Sequence, residues 1–320
     1  MNKSTRVYWI VAISIVLIWA FAMQHLGWWS MFSETWPISL TMVLGSFIAG
    51  ATAEGGGAVA FPVFTKMFGI APQDARIFAF MIQSFGMTMA GLFIYLKKIP
   101  VLWNVIGLAF ASGSAGLITG ELFLNLPDPY PKILFSFIAA VFGIFLIYNR
   151  WILGSKPMTV FPFVTNARVL TILISGFIGG MISSVIGVGI DMVLFIVLTL
   201  MYGLNEKVST PTTVVLMGLL SVVGFTWHGG VSGLITPDLW RYWMSCVPIV
   251  IFGAPFGAWV CSKINRDHLI YLLLLLISVD LVSTAVLIPL DFTRLLIVAI
   301  AAILTSFLFL WMIHLRNKGV

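Results

Sequence analysis

The sequence predicts an all-α, polytopic membrane protein made of two inverted structural repeats, each opening with a broken, re-entrant helical hairpin. Three observations carry that prediction. Apolar runs of about twenty residues, the length that crosses a bilayer core, recur from end to end of the 320-residue chain. Two longer segments, 44–76 and 178–210, align with each other without a gap. The 17 Lys and Arg residues divide unevenly between the two faces that the runs define.

Sixty per cent of the residues are hydrophobic and 9% are charged, and the mean hydropathy is +1.09. A soluble domain carries roughly a quarter of its residues as Asp, Glu, Lys and Arg, so this chain cannot clothe a water-facing surface. A transmembrane barrel is excluded too, because its strands alternate over about ten residues and these runs are continuous. The net charge of +6 therefore marks cytoplasmic loops and not a nucleic-acid footprint. No stretch outside the runs is long enough for a soluble catalytic domain. Cys246 and Cys261 lie fifteen residues apart in one run, about 22 Å along a helix, which precludes a mutual disulfide. No cofactor and no metal is implied. The partners expected are a small anionic substrate, protons and membrane lipid, in a bacterial inner (plasma) membrane.

The first run, 8–26, follows Lys3 and Arg6. Ala20-Phe21-Ala22 resembles a signal-peptidase site, but the apolar core is long for a signal peptide, and the run reads as a retained helix. Further spans are expected at 76–96, 100–123, 131–150, 209–228, 239–262, 268–289 and 292–315. Segments 36–70 and 168–204 are each too long for one crossing and carry small residues in the middle. The organisation is then an N-terminal helix (1–35), a first repeat (36–151), a cytoplasmic linker (152–167), a second repeat (168–289) and a C-terminal helix (290–320).

A shift of 134 residues makes Gly45/Gly179, Ile48/Ile182, Gly55/Gly189, Val59/Val193, Phe61/Phe195, Val63/Val197, Thr65/Thr199, Met67/Met201 and Gly69/Gly203 identical. An ungapped match that keeps its glycines is an internal repeat. A shift of 137 pairs Gly116 and Gly120 with Gly253 and Gly257, where small residues let helices approach closely. If 36–70 and 168–204 each cross once, Lys and Arg divide ten inside to seven outside; if each returns to the side it entered from, they divide twelve to five. The second division fits the positive-inside rule better. It also sends the first hairpin in from outside and the second from the cytoplasm, an inverted repeat.

The first cluster reads Gly50-Ala51-Thr52-Ala53-Glu54-Gly55-Gly56-Gly57, and a short helix can restart over 58–68 with Pro62 near its beginning. A helix broken in lipid survives only where protein or a water-filled cavity satisfies the freed backbone. Its restarted N-terminus offers amide donors and a positive dipole end to an anion, and paired breaks in inverted halves point to a transporter's substrate site. Tight helix packing is the alternative use of such glycines. The second half matches with Gly187-Val188-Gly189-Ile190-Asp191.

Glu54 and Asp191 are acids within these breaks, and an intramembrane acid is a functional candidate by default. Either carries a proton or shapes a polar cavity; Asp191 also stands where it would cap the restarted helix. Asp280 is a third intramembrane acid, facing a polar partner or a proton path. Gln83, Ser84, Thr212 and Thr213 follow the two hairpins and either complete a site or bond between helices. The candidate substrate site is therefore Glu54, Gly55, Gly56, Gly57, Gln83, Ser84, Gly187, Gly189, Asp191 and Thr212, with Glu54, Asp191 and Asp280 as proton-coupling candidates. His228 reads as structural, Lys66 and Arg76 as snorkelling residues, and Trp28, Trp29, Trp103, Trp240 and Trp243 as interfacial anchors.

At the two breaks the chain resembles the TauE/SafE family of sulfite and organosulfonate exporters. The resemblance rests on Gly45-Ser46-Phe47-Ile48-Ala49-Gly50 running into Gly55-Gly56-Gly57 and a Pro62-containing half-helix, and on Gly179-Gly180 through Gly187-Val188-Gly189. It implies a secondary carrier of small, often sulfur-containing anions built from two related halves. Ile190 and Asp191 stand where the family signature has glycines, and Glu54 is unlike its commonest form. A passive anion channel and a small-carboxylate carrier are the alternatives. An intramembrane aspartyl protease fits poorly, because Ile190 separates Gly189 from Asp191 and Asp280 lacks a neighbouring Tyr.

Overall fold

The computed structural model describes residues 3–56, 63–124, 126–153, 157–158, 161, 165–289 and 291–317. The helices are α1 (Lys3–Leu26), α2 (Phe32–Ala51), α3 (Pro72–Leu96), α4 (Trp103–Phe123), α5 (Tyr130–Ile147), α6 (Asn166–Ile186), α7 (Ile190–Ile196), α8 (Glu206–Thr226), α9 (Pro237–Lys263), α10 (Arg266–Leu287) and α11 (Phe292–Asn317). Among the described residues nine helices are long and apolar enough to cross a membrane, and α2 and α7 are not among them. The expected spans stand within a few residues of where their apolar runs placed them. Pro72 and Pro131 sit in the first turns of α3 and α5, where a missing N–H costs nothing. Among the described residues the only ladder-like contact is one isolated bridge, Met158 to Leu204.

The helices form two compact units, Met1–Val101 with Pro211–Lys263, and Leu102–Thr210 with Ile264–Val320. Each unit draws on both sequence repeats. In the first, α2 packs on α9, and α3 also packs on α9; in the second, α6 packs on α4, α7 on α6, and α10 and α11 on α5. The repeat registers explain the match. The 134-residue shift relates α2 to α6 and the 137-residue shift relates α4 to α9, so α2 on α9 and α6 on α4 are the same contact made twice. A Cβ on Gly257 would strike the carbonyl of Phe47, and one on Gly120 would lie 3.2 Å from the Cα of Met181. Phe47 and Met181 are themselves repeat partners, and the close approach expected of these glycines is what they provide.

Polar contacts tie the helix ends together within each unit. In the first, Lys97 Nζ donates to Thr5 Oγ1 at 2.9 Å and Arg241 Nη2 to Glu34 Oε2 at 2.8 Å. In the second, Arg150 grips Asp267 through two bonds of 2.7 and 3.1 Å. Arg266 Nη2 donates to Glu206 Oε1 at 2.9 Å. Within the linker, Met158 N–H donates to the Gly203 carbonyl at 2.9 Å, and Asn205 N–H to the Met158 carbonyl at 2.8 Å. Phe161 packs edge-on against Tyr202 with ring centroids 4.8 Å apart.

Two residues are held more closely than their positions in the sequence suggest. Lys132 is buried in the first turn of α5, paired with Asp280. Trp243, expected as an interfacial anchor, donates its indole N–H to the Met81 carbonyl at 3.0 Å, and its ring packs with Phe85, Phe225 and Trp240. Trp29 and Trp103 are exposed, as an anchor requires. His228 is buried against the Phe80 ring, in keeping with a structural role, and both cysteines are buried.

Candidate functional site: two helix breaks

The first break follows Ala51, the last residue of α2. Thr52 turns to extended backbone while its N–H and its hydroxyl both donate to the Ile48 carbonyl, at 3.0 and 3.1 Å. That closes the helix end internally, as orphan carbonyls require. Gly55 then takes a left-handed φ of 66°, which glycine adopts without a Cβ penalty. Residues 51–56 are buried throughout, and Glu54 is 3% exposed. Gly57 and Pro62 lie outside the described residues. The chain is described again from a π-helical turn at Val63–Met67, which leads to α3.

Gly56 and Gln83 line one small cavity of about 10 Å³ with Ser46, Ala49, Gly86 and Val250. That is room for roughly one water. The Gln83 amide nitrogen donates to the Ala79 carbonyl at 3.0 Å. Ser84 does not join them: its hydroxyl is turned onto the Met81 carbonyl at 2.7 Å. Thr212 is fully buried and belongs to this same first unit, not to the unit holding the second break.

The second break is held differently. Gly187 ends α6 in the left-handed region at φ 85°, donating its N–H to the Ser183 carbonyl at 2.7 Å. The Ile190 N–H donates to the Ser183 hydroxyl at 3.0 Å. Asp191 Oδ1 accepts from the Gly189 N–H at 3.1 Å and from the Met192 N–H at 3.0 Å. The amides that the sequence offered to an anion are thus taken up by a serine and by the chain's own carboxylate. Gly189 is the N-cap of α7, so Asp191 does a cap's work from inside the helix. α7 folds back on α6, where a Cβ on Gly179 would lie 2.7 Å from the Cα of Ile190. The groove beside Gly189 is lined by apolar side chains such as Phe135, Met181, Ile182 and Met192.

Asp280 has its polar partner. The Lys132 ammonium contacts its Oδ1, and the Ser136 hydroxyl donates to its Oδ2 at 2.5 Å. Ser136 in turn lies 2.9 Å from the Thr284 hydroxyl. Lys132 is 5% exposed and Asp280 2%. Sequence reasoning passed over Lys132 because it sits at the end of an apolar run, where lysines ordinarily mark a loop. The signal that would have found it is Asp280 itself, since an acid in the middle of a span calls for a basic partner.

The model of one protein family, described as Sulfite exporter TauE/SafE, matches residues 38–283 and so takes in both breaks. Comparison with curated proteins and with solved structures gives no match. The chain belongs to the TauE/SafE family of membrane transporters, and it is an integral, multi-pass membrane protein.

Proposed function

Starting from that membership, we propose that the protein is a secondary transporter that exports a small anion, sulfite or an organosulfonate, through a site at the two helix breaks. The observation that carries the reading is the pair of breaks at repeat-related positions, after Ala51 and after Ile186, with an acid in each.

The contacts between helix ends support the inverted arrangement by parity. Thr5 and Lys97 touch, with α1 and α3 lying between them in the chain, which is the contact expected if segment 32–71 returns to its side of entry. Arg150 and Asp267 touch, with α8 and α9 crossing between them, and the same holds for 166–205. The Met158–Leu204 bridge spans that second segment directly. The stretch Ile190–Met201, twelve residues, is roughly 18 Å long as a helix, a length that supports a break near the middle of a 30 Å bilayer core.

The test is reconstitution into liposomes with sulfite, an alkylsulfonate and a small carboxylate, each with and without a pH gradient. Flux of the sulfur anions is expected. Flux of carboxylates alone transfers the reading to a carboxylate carrier, and flux that no gradient can drive uphill makes the protein a channel. Cysteines introduced at Lys66 and Lys207 should be labelled by an impermeant reagent from opposite faces; labelling of both from one face ends the inverted arrangement.

A further inference from the structure

We propose that the groove between α1 and α9 is a lipid site, holding an acyl chain of a phospholipid whose headgroup carries both a phosphate and a primary ammonium. The inference needs only that the chain lies in a membrane, and it stands apart from the transport reading.

α1 precedes the family-matched residues 38–283 and is fastened to α9 at two points. The Tyr8 hydroxyl donates to the Ile251 carbonyl at 3.1 Å and the Trp19 indole to the Met244 carbonyl at 2.7 Å. Beside the Trp19 bond the helices leave a groove of about 480 Å³, lined by aliphatic and aromatic side chains such as Ile15, Phe85 and Val247 and reaching Trp28 and Trp240. Ile18 and Leu26, which also line it, are exposed, so the groove opens toward lipid. Its volume is that of a ligand pocket, roughly 300–1,000 Å³. Lipid tails are as apolar as leucine, so a chain enters such a groove without selection. Selection falls to the headgroup.

The groove ends where α1 stops and α9 begins, and there the polar groups gather. Among the described residues the half-buried Trp28 and Trp240 offer indole N–H groups with no protein acceptor. Trp19, Trp29 and Trp243 differ, donating to Met244, Gln24 and Met81. The Trp240 ring is held by Phe225 and Trp243. Tryptophans at span ends lie at headgroup level, where a phosphate or ester oxygen can accept from them.

One residue beyond Trp240, the Arg241 guanidinium stands between two exposed carboxylates. Its Nη2 is 2.8 Å from Glu34 Oε2 and its Nη1 3.8 Å from Asp238 Oδ1. Glu34 follows Met31 by three residues, and Met31 packs with Trp28 and Met244, so the triad stands within about one turn of the groove on both elements. A guanidinium has five donors, and two acids do not exhaust them. A positive group flanked by negative ones complements a headgroup that carries a phosphate beside an ammonium. A headgroup with a phosphate alone brings the two carboxylates nothing, and a trimethylammonium has no N–H to give them. The nearby Asp74 and Arg76, in the first turns of α3, add one charge of each sign. His25 stacks on Phe21, and the Lys66 side chain lies outside the described residues.

The experiment is native mass spectrometry of the delipidated full chain, offered equal amounts of dioleoyl phosphatidylethanolamine, phosphatidylglycerol and phosphatidylcholine. A hydrogen bond to a charged group is worth about tenfold in affinity, so wild type should hold phosphatidylethanolamine about tenfold more tightly than either competitor. Glu34→Gln/Asp238→Asn alters two exposed positions, spares the fold and leaves Arg241 without its acids. Its preference should pass to phosphatidylglycerol. Ala22→Trp, in the groove wall, should expel the lipid. Should it fail to fold, Trp240→Phe removes only the indole N–H and should weaken phosphatidylethanolamine severalfold. Equal retention of the three lipids by wild type overturns the proposal, as does a preference that the charge variant leaves unchanged. A second copy of the chain that stays on the groove in excess phosphatidylethanolamine overturns it too. None of these outcomes touches the transport reading, which sulfite flux in liposomes decides.

Discussion

The close approach of α6 to α4 is the contact on which the second break is mounted, and Gly180 is where it can be tested. A Cβ added at Gly180 would fall inside van der Waals contact with the Gly113 carbonyl oxygen, 2.8 Å from the carbonyl carbon and 2.9 Å from the Cα. Ordinary contact begins at 3.4 Å, and with the oxygen the nearest atom α6 would have to retreat by more than about 1 Å. Backbone cannot rotate away as a side chain can. Overpacking of this kind costs about 1–3 kcal/mol, against a gain of roughly 0.5–1 kcal/mol for replacing a mid-helix glycine by alanine. Gly107, in α4, has nothing within 4 Å of such a Cβ and isolates the propensity gain. Gly180→Ala should therefore unfold several degrees below Gly107→Ala in a detergent thermal melt, since about 1 kcal/mol moves the midpoint by a few degrees in a chain of this size. Equal midpoints, or a higher one for Gly180→Ala, would show that the helices are not in backbone contact there and would refute the packing scheme for both units.

Other consequences follow at the breaks. Gly56→Val puts its Cβ 3.1 Å from the Gly45 carbonyl and fills the small cavity shared with Gln83, so transport should be lost while membrane expression is retained; normal transport would reduce Gly56 to a packing residue. Asp191→Asn keeps an oxygen acceptor for the Gly189 and Met192 amides and should melt within a degree or two of wild type, whereas Asp191→Ala should lose about 1–2 kcal/mol, the usual value of a lost cap; equal midpoints for the two would deny Asp191 its capping work. Glu54→Gln removes a carboxylate expected within a few ångströms of the bound anion, a repulsion of several kcal/mol at an effective dielectric near 20. Sulfite affinity at neutral pH should rise at least tenfold, and an unchanged affinity would place the transported anion away from the first break. Arg266→Met leaves Glu206, 1% exposed, without its guanidinium and should cost about 3–5 kcal/mol, read as loss of monodisperse protein on extraction; full stability would mean the pair is dispensable.

The spans were legible because one property, twenty apolar residues in a row, decides them, and the repeat-related glycines were legible because backbone contact tolerates no substitute. The breaks were legible as positions and not as sites. Asp191 shows why: its carboxylate satisfies amides one and two residues away, and nothing in a one-dimensional pattern separates an acid that waits for a ligand from one that serves its own backbone. Lys132 and Asp280 are 148 residues apart, and their meeting depends on α5 packing against α10, which no local spacing encodes. The Trp243 indole shows the same limit: its carbonyl partner, on Met81, is 162 residues away in the chain.

The exchange of helices between repeats bears on how the two breaks can work. Each broken segment is braced by a helix from the other half of the sequence, α2 by α9 and α6 by α4, so neither half closes a unit alone. The contact is backbone against glycine in both cases, which leaves little freedom for the helix to tilt without its partner. α2 and α9 therefore shift as one piece, as do α6 and α4, and the freedom that remains lies in the segments just past the breaks. In the second unit that segment is α7, whose first amides are held by Ser183 and Asp191 and not by backbone carbonyls. Side-chain acceptors can release and re-form those bonds without unwinding the helix, whereas the Gly180–Gly113 approach cannot loosen without separating α6 from α4. The part of the second break held by side-chain acceptors is thus residues 189–192, set on a pair of helices in backbone contact.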